Sequence, residues 1–245
     1  MKQFNLEKEK QKVAFTLSKR NLPQMRASVG LALDISGSTA NLYKRGVIQR
    51  LVEQIIPVGL RFDDNGNLDV YTFADGDAIG QVTGATEHNY ADFVKREILD
   101  NNAVSKWGGT SYAPVIEQML SDYGFRYTAK TGGFAGFGGK QTRMLKESST
   151  SGEAVINYFI TDGVNDDKKA TEALLQECQD AKANMYFCII GVGDADFSFI
   201  EHLGEKFGNV GFLNVSDLQK FVDGDDIYEQ LLPTEMTDWL KQKTI

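Results

Sequence analysis

Apolar residues along the chain alternate between two rhythms. Continuous apolar runs recur at VGLALDI (29–35), LDVYTFA (68–74), AVINYFITDG (154–163), MYFCIIGVG (185–193) and VGFLNV (210–215). Runs of this kind read as strands buried on both faces. AIGQVTG, before residue 85, reads as a short further strand at an edge. Between the runs the spacing turns helical. It predicts helices at about 42–56, closed by Pro57 and Gly59, at 89–99, at 112–122 with Pro114 in the first turn, and at 167–182. FSFIEHLGEKF gives a short helix, and the tail gives one or two more ending near Trp239. Residues 8–20 carry Val13, Phe15 and Leu17 at a strand-like spacing among lysines, and a leading helix is the preferred reading. FDDNG at 62–66 marks a turn. This alternation predicts an α/β fold, a Rossmann-like open and mostly parallel sheet with helices on both faces.

One stretch breaks the rhythm. Residues 124–152 are rich in glycine and poor in apolar periodicity, and read as a long insertion in the form of a hairpin. Two uses stand for it: a tolerated surface loop, or a partner-binding loop using Phe134 and Phe137. No repeat or second core is legible, so residues 1–245 are expected to form a single domain. That domain would carry an N-terminal helical extension at about 1–28 and the insertion at about 124–152.

Composition narrows the function. The chain has 245 residues, and its net charge of −8 argues against a nucleic-acid partner, which calls for a concentrated basic surface. Lys8, Lys10, Lys12, Lys19, Arg20 and Arg26 cluster near the start, but Glu7 and Glu9 are interleaved, as on a solvated helix face. No apolar run reaches the roughly 18 residues of a membrane span, and the N-terminus lacks the apolar core of a signal peptide. Cys178 and Cys188 read as buried, reduced thiols. A cytoplasmic protein is expected.

Candidate chemistry gathers where strands end. In DISGS (34–38), Asp34, Ser36 and Ser38 place oxygen donors at alternate positions, and Gly37 allows a tight bend. A loop at the carboxyl end of a buried strand is where open α/β sheets bind ligands. One carboxylate with two hydroxyls suits Mg2+, Mn2+ or Ca2+ rather than zinc. Thr110, in WGGTS, and Asp162, in ITDG, could add donors if their strands lie beside the first. Singly, each of these residues also reads as a helix cap; jointly they predict a cation site. Trp107 either packs under the Thr110 loop or rims the site. The run DGDD (223–226) reads as a helix N-terminal turn.

In this order, Asp34, Ser36, Ser38, Thr110 and Asp162 match the D-x-S-x-S, Thr, Asp motif, and the chain resembles a von Willebrand factor type A (vWA) domain. Within that superfamily it resembles the bacterial and phage branch associated with tellurium resistance, which is copine-like. The segments carrying the resemblance are LALDISGSTANLYKRG, FDDNGNLDVYTFAD, WGGTSYAPVI, FITDGVNDDKKAT, GVGDADFSFIEHL and the tail from NVGFLNV to DWLK. The resemblance implies a metal-ion-dependent adhesion site holding Mg2+, with Ca2+ or Mn2+ as alternatives. One coordination position is left for an Asp or Glu carboxylate of a protein partner. It implies that Thr110 and Asp162 alternate between direct and water-mediated contact, and it implies a place in a tellurium-resistance or phage-defence type of stress system. Two departures stand out. Thr39 occupies a position where Met is more usual, and the insertion is longer and richer in glycine than the family pattern.

The leading expectation is a non-enzymatic, cation-dependent protein-binding module. A structural scaffold with a stabilising metal is the second reading and a Mg2+-dependent phosphotransferase the third. The phosphotransferase reading is the weakest, because position 36 is Ser where D-x-D chemistry needs an acid. His88 and His202 are isolated and make no zinc site. The glycine cluster at 132–139, followed by Lys140 and Gln141, lacks the hydroxyl that ends a phosphate-binding loop.

Overall fold

The run at 29–35 becomes the central strand β1 (Ala27–Asp34). The computed structural model that shows this describes residues 4–22, 24–63, 66–75, 79–131, 140–163 and 165–243. The other strands are β2 (Asn67–Phe73), β3 (Gly80–Gln81), β4 (Ala85–Thr86), β5 (Arg126–Thr131), β6 (Lys140–Leu145), β7 (Ala154–Thr161), β8 (Met185–Val192) and β9 (Val210–Val215). The helices are α1 (Leu6–Lys19), α2 (Ala40–Lys44), α3 (Val47–Phe62), α4 (Ala113–Asp122), α5 (Lys168–Asp180), α6 (Ser198–Lys206), α7 (Leu218–Asp223), α8 (Ile227–Leu231) and α9 (Thr234–Lys241).

The main sheet runs β3-β2-β1-β7-β8-β9, with β4 also on β2. The five long strands are mutually parallel, and β3 and β4 pair antiparallel with β2. The expected edge strand at AIGQVTG is therefore present. The chain winds outward from β1 to β2 on one side and from β7 to β9 on the other. The strand order thus reverses between β1 and β7, and their carboxyl ends flank a crevice.

Side chains of a strand alternate between faces, and here both faces are apolar. Val29, Leu31 and Leu33 join Ile156, Tyr158 and Ile160 under α1, α3, α7, α8 and α9. Ala32, Val155 and Phe159 pack under α4, α5 and α6. Burial on both faces explains the unbroken apolar runs. The two cysteines lie buried and unpaired, with burial pushing both thiols up to about 12.

Several boundaries differ from the expectation. The helix expected at 42–56 is two helices, α2 and α3, separated by Gly46 in the left-handed region (φ 70°). Pro57 and Gly59 do not end α3, which continues to Phe62. Pro57 forfeits one helical hydrogen bond, but it is buried, and Gly59 lies against Leu68, which an added Cβ would approach to 3.3 Å. Tertiary packing overrides the local stop signal. At 89–99 only the end is regular, a π-helical turn at Lys95–Leu99. The tail holds three short helices rather than one or two. Its DGDD run straddles two of them, with Asp223 ending α7 and paired with Arg50, and Asp226 preceding α8.

The 124–152 stretch is a hairpin, β5 against β6. The Arg126 guanidinium fastens it, held by Glu117 of α4 at 2.6 Å and Glu177 of α5 at 2.5 Å. Phe134, Phe137 and the glycine cluster at 132–139 lie outside the described residues.

Gly30 is required by a close approach. A Cβ there would fall 2.3 Å from Asn157 Oδ1 and 2.8 Å from the Tyr123 hydroxyl. Asn157 is 0% exposed, so it has nowhere to retreat. Gly30→Ala is expected to lower stability by about 1–3 kcal/mol, read as a shift of the urea midpoint with an unchanged slope. An unchanged midpoint would show that Asn157 can move aside.

Candidate metal centre

Asp34 is the last residue of β1, and its side chain is buried. A carboxylate in that setting needs hydrogen bonds, and the chain provides them locally and from β7. The Ser36 backbone N–H donates to Asp34 Oδ1 at 2.9 Å, and the Thr161 hydroxyl donates to Oδ2 at 2.9 Å. Tyr112 meets that same Thr161 hydroxyl at 2.8 Å. Desolvation still dominates, pushing the Asp34 carboxyl up to about 6. The bonds from Ser36 and Thr161 pull the other way, and the charge of Asp162 adds to the rise. Asp162 is therefore an electrostatic neighbour of Asp34.

The turn after β1 is closed by Thr39 and Tyr43, neither of them a ligand candidate from the sequence. Thr39 Oγ1 donates to the carbonyls of Asp34 (3.1 Å) and Ser36 (2.9 Å), and the Tyr43 hydroxyl donates to the Asp34 carbonyl (2.9 Å). A Met at position 39 could make neither bond. In the resulting bend the Ser36 and Ser38 hydroxyls lie 3.1 Å apart.

Thr110 is brought to this cluster by its backbone. The loop 107–111 is stitched to the ends of β1 and β2 and to the loop before α5. Trp107 N–H donates to the Ile35 carbonyl (2.8 Å) and Gly37 N–H to the Gly108 carbonyl (3.0 Å). Ser111 N–H donates to the Ala74 carbonyl (2.9 Å), and Asp166 N–H to the Thr110 carbonyl (2.8 Å). Asp166 returns a bond, accepting from Thr110 N–H at 3.0 Å. Gly108 and Gly109 leave room for carboxylates: a Cβ on Gly108 would fall 2.0 Å from Asp75 Oδ1, and one on Gly109 3.0 Å from Asp166 Oδ2. The side chain of Thr110 is buried in this loop.

Asp162 follows β7, and its Oδ1 is buried with no hydrogen-bond partner among the described residues. The five residues expected from the sequence thus offer two carboxylates and three hydroxyls on the loops after β1, before α4 and after β7. All five are hard-oxygen donors, the chemistry preferred by Mg2+, Mn2+ and Ca2+. Among the described residues no three His, Cys, Asp or Glu side chains gather as a metal cluster, so any cation here would depend on the hydroxyls.

Trp107 does not pack beneath the loop. It is 39% exposed, sits in the left-handed region (φ 72°), and meets the Tyr43 ring edge-on at 5.7 Å. Its N–H bonds the Ile35 carbonyl, and the indole is left partly exposed beside Tyr43.

Asp75, Asp166 and Asp167 are further acidic residues of the site that sequence reasoning did not single out. Asp75 carries the same signal as Asp34, an aspartate directly after a buried strand. Asp167 precedes α5 and looks like its cap, yet its carboxylate accepts from Tyr112 N–H (3.0 Å) and Ala113 N–H (2.9 Å) at the start of α4. Asp167→Ala is expected to cost about 1–2 kcal/mol, the worth of a helix cap. It should also quicken amide hydrogen exchange at Tyr112 and Ala113. Unchanged exchange there would remove the cross-element cap from the account.

Comparison with known proteins identifies the family and the fold. The family model for the vWA found in the TerF C terminus matches residues 26–132 and 140–244. The Bacillus subtilis (strain 168) protein named "Uncharacterized protein YcbR" is 31% identical over 238 residues, covering 96% of this chain and 86% of that protein. Among solved structures, VWA2, an ArnB paralog from Sulfolobus acidocaldarius, superposes with a TM-score of 0.51 at 13% identity, covering 84% of this chain and 45% of that one. Proximal thread matrix protein 1 from the mussel byssus gives 0.51 at 16% identity, covering 85% and 48%. At such identities the likeness is one of fold, and this chain spans about half the length of each of those two. By the family match across nearly its whole length, the chain belongs to the vWA-TerF-like family.

Proposed function

We propose that Asp34, Ser36, Ser38, Thr110 and Asp162 hold one divalent cation, Mg2+ in the first place with Ca2+ or Mn2+ as substitutes. The protein would use this site to bind a partner protein through an Asp or Glu carboxylate. The observation that carries the reading is Asp162 Oδ1, buried and unpartnered beside a second buried carboxylate. Two neighbouring carboxylates with one oxygen orphaned are costly unless a positive charge joins them. The three hydroxyls add donors without adding charge, so two carboxylates remain the only anions in the set. A bound cation would offer an electrophilic position for an incoming carboxylate, within a sphere of about six oxygens. The exposed Trp107 ring lies on the rim, where an aromatic anchor can meet a partner.

The module is non-enzymatic in this reading. His88 lies beside Glu87 and His202 bonds Glu172, so neither histidine is engaged with the site as a base. We take residues 1–245 as one unit with the N-terminal helix and the hairpin as additions. The family match skips 133–139, inside the insertion. No helix among the described residues is long and apolar enough to cross a membrane. A cytoplasmic bacterial or phage stress system of the tellurium-resistance type is the setting we infer from the family.

Metal binding has a pH signature. The folded, metal-free protein keeps the Asp34 proton up to about pH 6, whereas the unfolded chain releases it near 3.8. Between these values the native state binds more protons, so its stability falls as pH rises, by roughly 3 kcal/mol from this group. Mg2+ competes with that proton, so its affinity should climb with pH and level off above about 6. Melting temperatures at pH 4.5 and 7, with and without Mg2+, measure both effects, and Asp34→Asn should abolish them. A Mg2+ affinity independent of pH across this range would contradict the assignment of Asp34.

Partner binding is tested separately. Wild type and Asp34→Ala are used to recover partners in Mg2+ and in EDTA. Recovery by wild type in Mg2+ alone is expected. Equal recovery by both proteins, with only a lower melting temperature for the variant, would leave the metal a structural role.

A further inference from the structure

The far edge of the sheet carries a second surface, unrelated to the candidate cation site. β9 is the terminal strand, and among the described residues nothing pairs with its outer side. The Asn209 and Val215 carbonyls accept from Phe187 and Gly193, so odd-numbered residues turn their backbone groups toward β8. By alternation, Val210, Phe212 and Asn214 turn theirs outward. A groove of about 410 Å3 wraps this edge, reaching α6 on one face and the start of α9 on the other.

Three features define its chemistry. Glu201 and Glu205 of α6 line one side and Glu235 of α9 the other, all exposed. None of the three is held in an ion pair among the described residues. Lys206, the nearest cation in sequence, is committed to Glu172 at 2.7 Å. The floor contains Tyr186, which is 1% exposed yet directs its hydroxyl at Gly211, where a Cβ would lie 2.5 Å from that oxygen. The hydroxyl has no hydrogen-bond partner among the described residues. The missing side chain of Gly211 thus leaves room at the edge for that hydroxyl.

We propose that the outer edge of β9 is a docking site for an extended basic peptide, added as a further strand. Its backbone would pair with the outward groups of Phe212 and Asn214. Side chains of an added strand alternate between faces, so consecutive Arg or Lys residues would reach Glu201 and Glu205 on one side and Glu235 on the other. A segment of acidic or apolar side chains would leave the glutamates unpaired, which sets the preference. The glutamates divide between the two faces of one strand, an arrangement that fits two or three spaced cations better than one metal ion.

The test uses a fluorescein-labelled octapeptide in which pairs of consecutive arginines alternate with pairs of valines, so that each pair sends one cation to either face, its twin with glutamate in place of arginine, and fluorescence anisotropy in EDTA, so that the candidate cation site plays no part. The arginine peptide is expected to bind and the twin not. The triple variant Glu201→Gln, Glu205→Gln, Glu235→Gln should weaken binding at least tenfold. Asn214→Pro removes an outward N–H without touching the β8 bonds and should weaken it comparably, with an unchanged melting temperature confirming the fold. Absence of binding, equal binding of the twin, or full affinity in Asn214→Pro overturns strand addition. Sedimentation of the protein alone, if it shows a dimer that Asn214→Pro dissolves, replaces the peptide with a second copy and also overturns the proposal.

Discussion

A carboxylate at the end of a buried strand is the constraint around which this structure is organised. Asp34 cannot be left to water, so the chain spends local turn geometry on it: the Ser36 N–H on its carboxylate, and the hydroxyls of Thr39 and Tyr43 on its main-chain carbonyl. It also draws in β7 through Thr161. Those contacts fix where β1 and β7 end relative to each other. The loop carrying Thr110 is held in place because its backbone donors and acceptors pair with the ends of β1 and β2 and with Asp166 before α5. Even with these bonds, burial holds the Asp34 carboxyl well above its ordinary value. The site is assembled but electrostatically unfinished.

Much of this was legible in the sequence because the signals were strong and local. Strands buried on both faces must be continuously apolar, so β1, β2, β7, β8 and β9 could be read almost to the residue. Ligand-bearing loops of such sheets follow strand ends, which located Asp34 and Asp162. What failed was whatever depended on distant packing. Pro57 is a stop signal only for an isolated helix; against β2 it is tolerated. The tail was read as one or two helices because short amphipathic segments laid on a preformed surface carry little periodicity of their own. Asp167 looks like a cap for its own helix and serves another, which no spacing rule can reveal. Trp107 could be placed near the site but not oriented, because neither its left-handed backbone nor its bond to Ile35 can be read from spacing.

The two edges of the sheet are finished differently. On the β2 side, short antiparallel strands take up the open backbone groups, the usual way to blunt an edge. On the β9 side the shielding is electrostatic: acidic residues on the flanking helices discourage a second copy of the same acidic chain. A sheet protected in that way stays available to a strand of opposite charge.

Helix α4 joins the loop that carries Thr110 to the base of the hairpin. Its first turn is pinned at the candidate cation site by Asp167, and Glu117, one turn further on, grips Arg126 at the base of the hairpin. From Ala113 to Glu117 the helix rises by about 6 Å. The hairpin is consequently not an appendage free to drift, but a surface held at a set distance and bearing from Thr110. A partner contacting both would meet a ruler, and its own spacing would decide whether it fits.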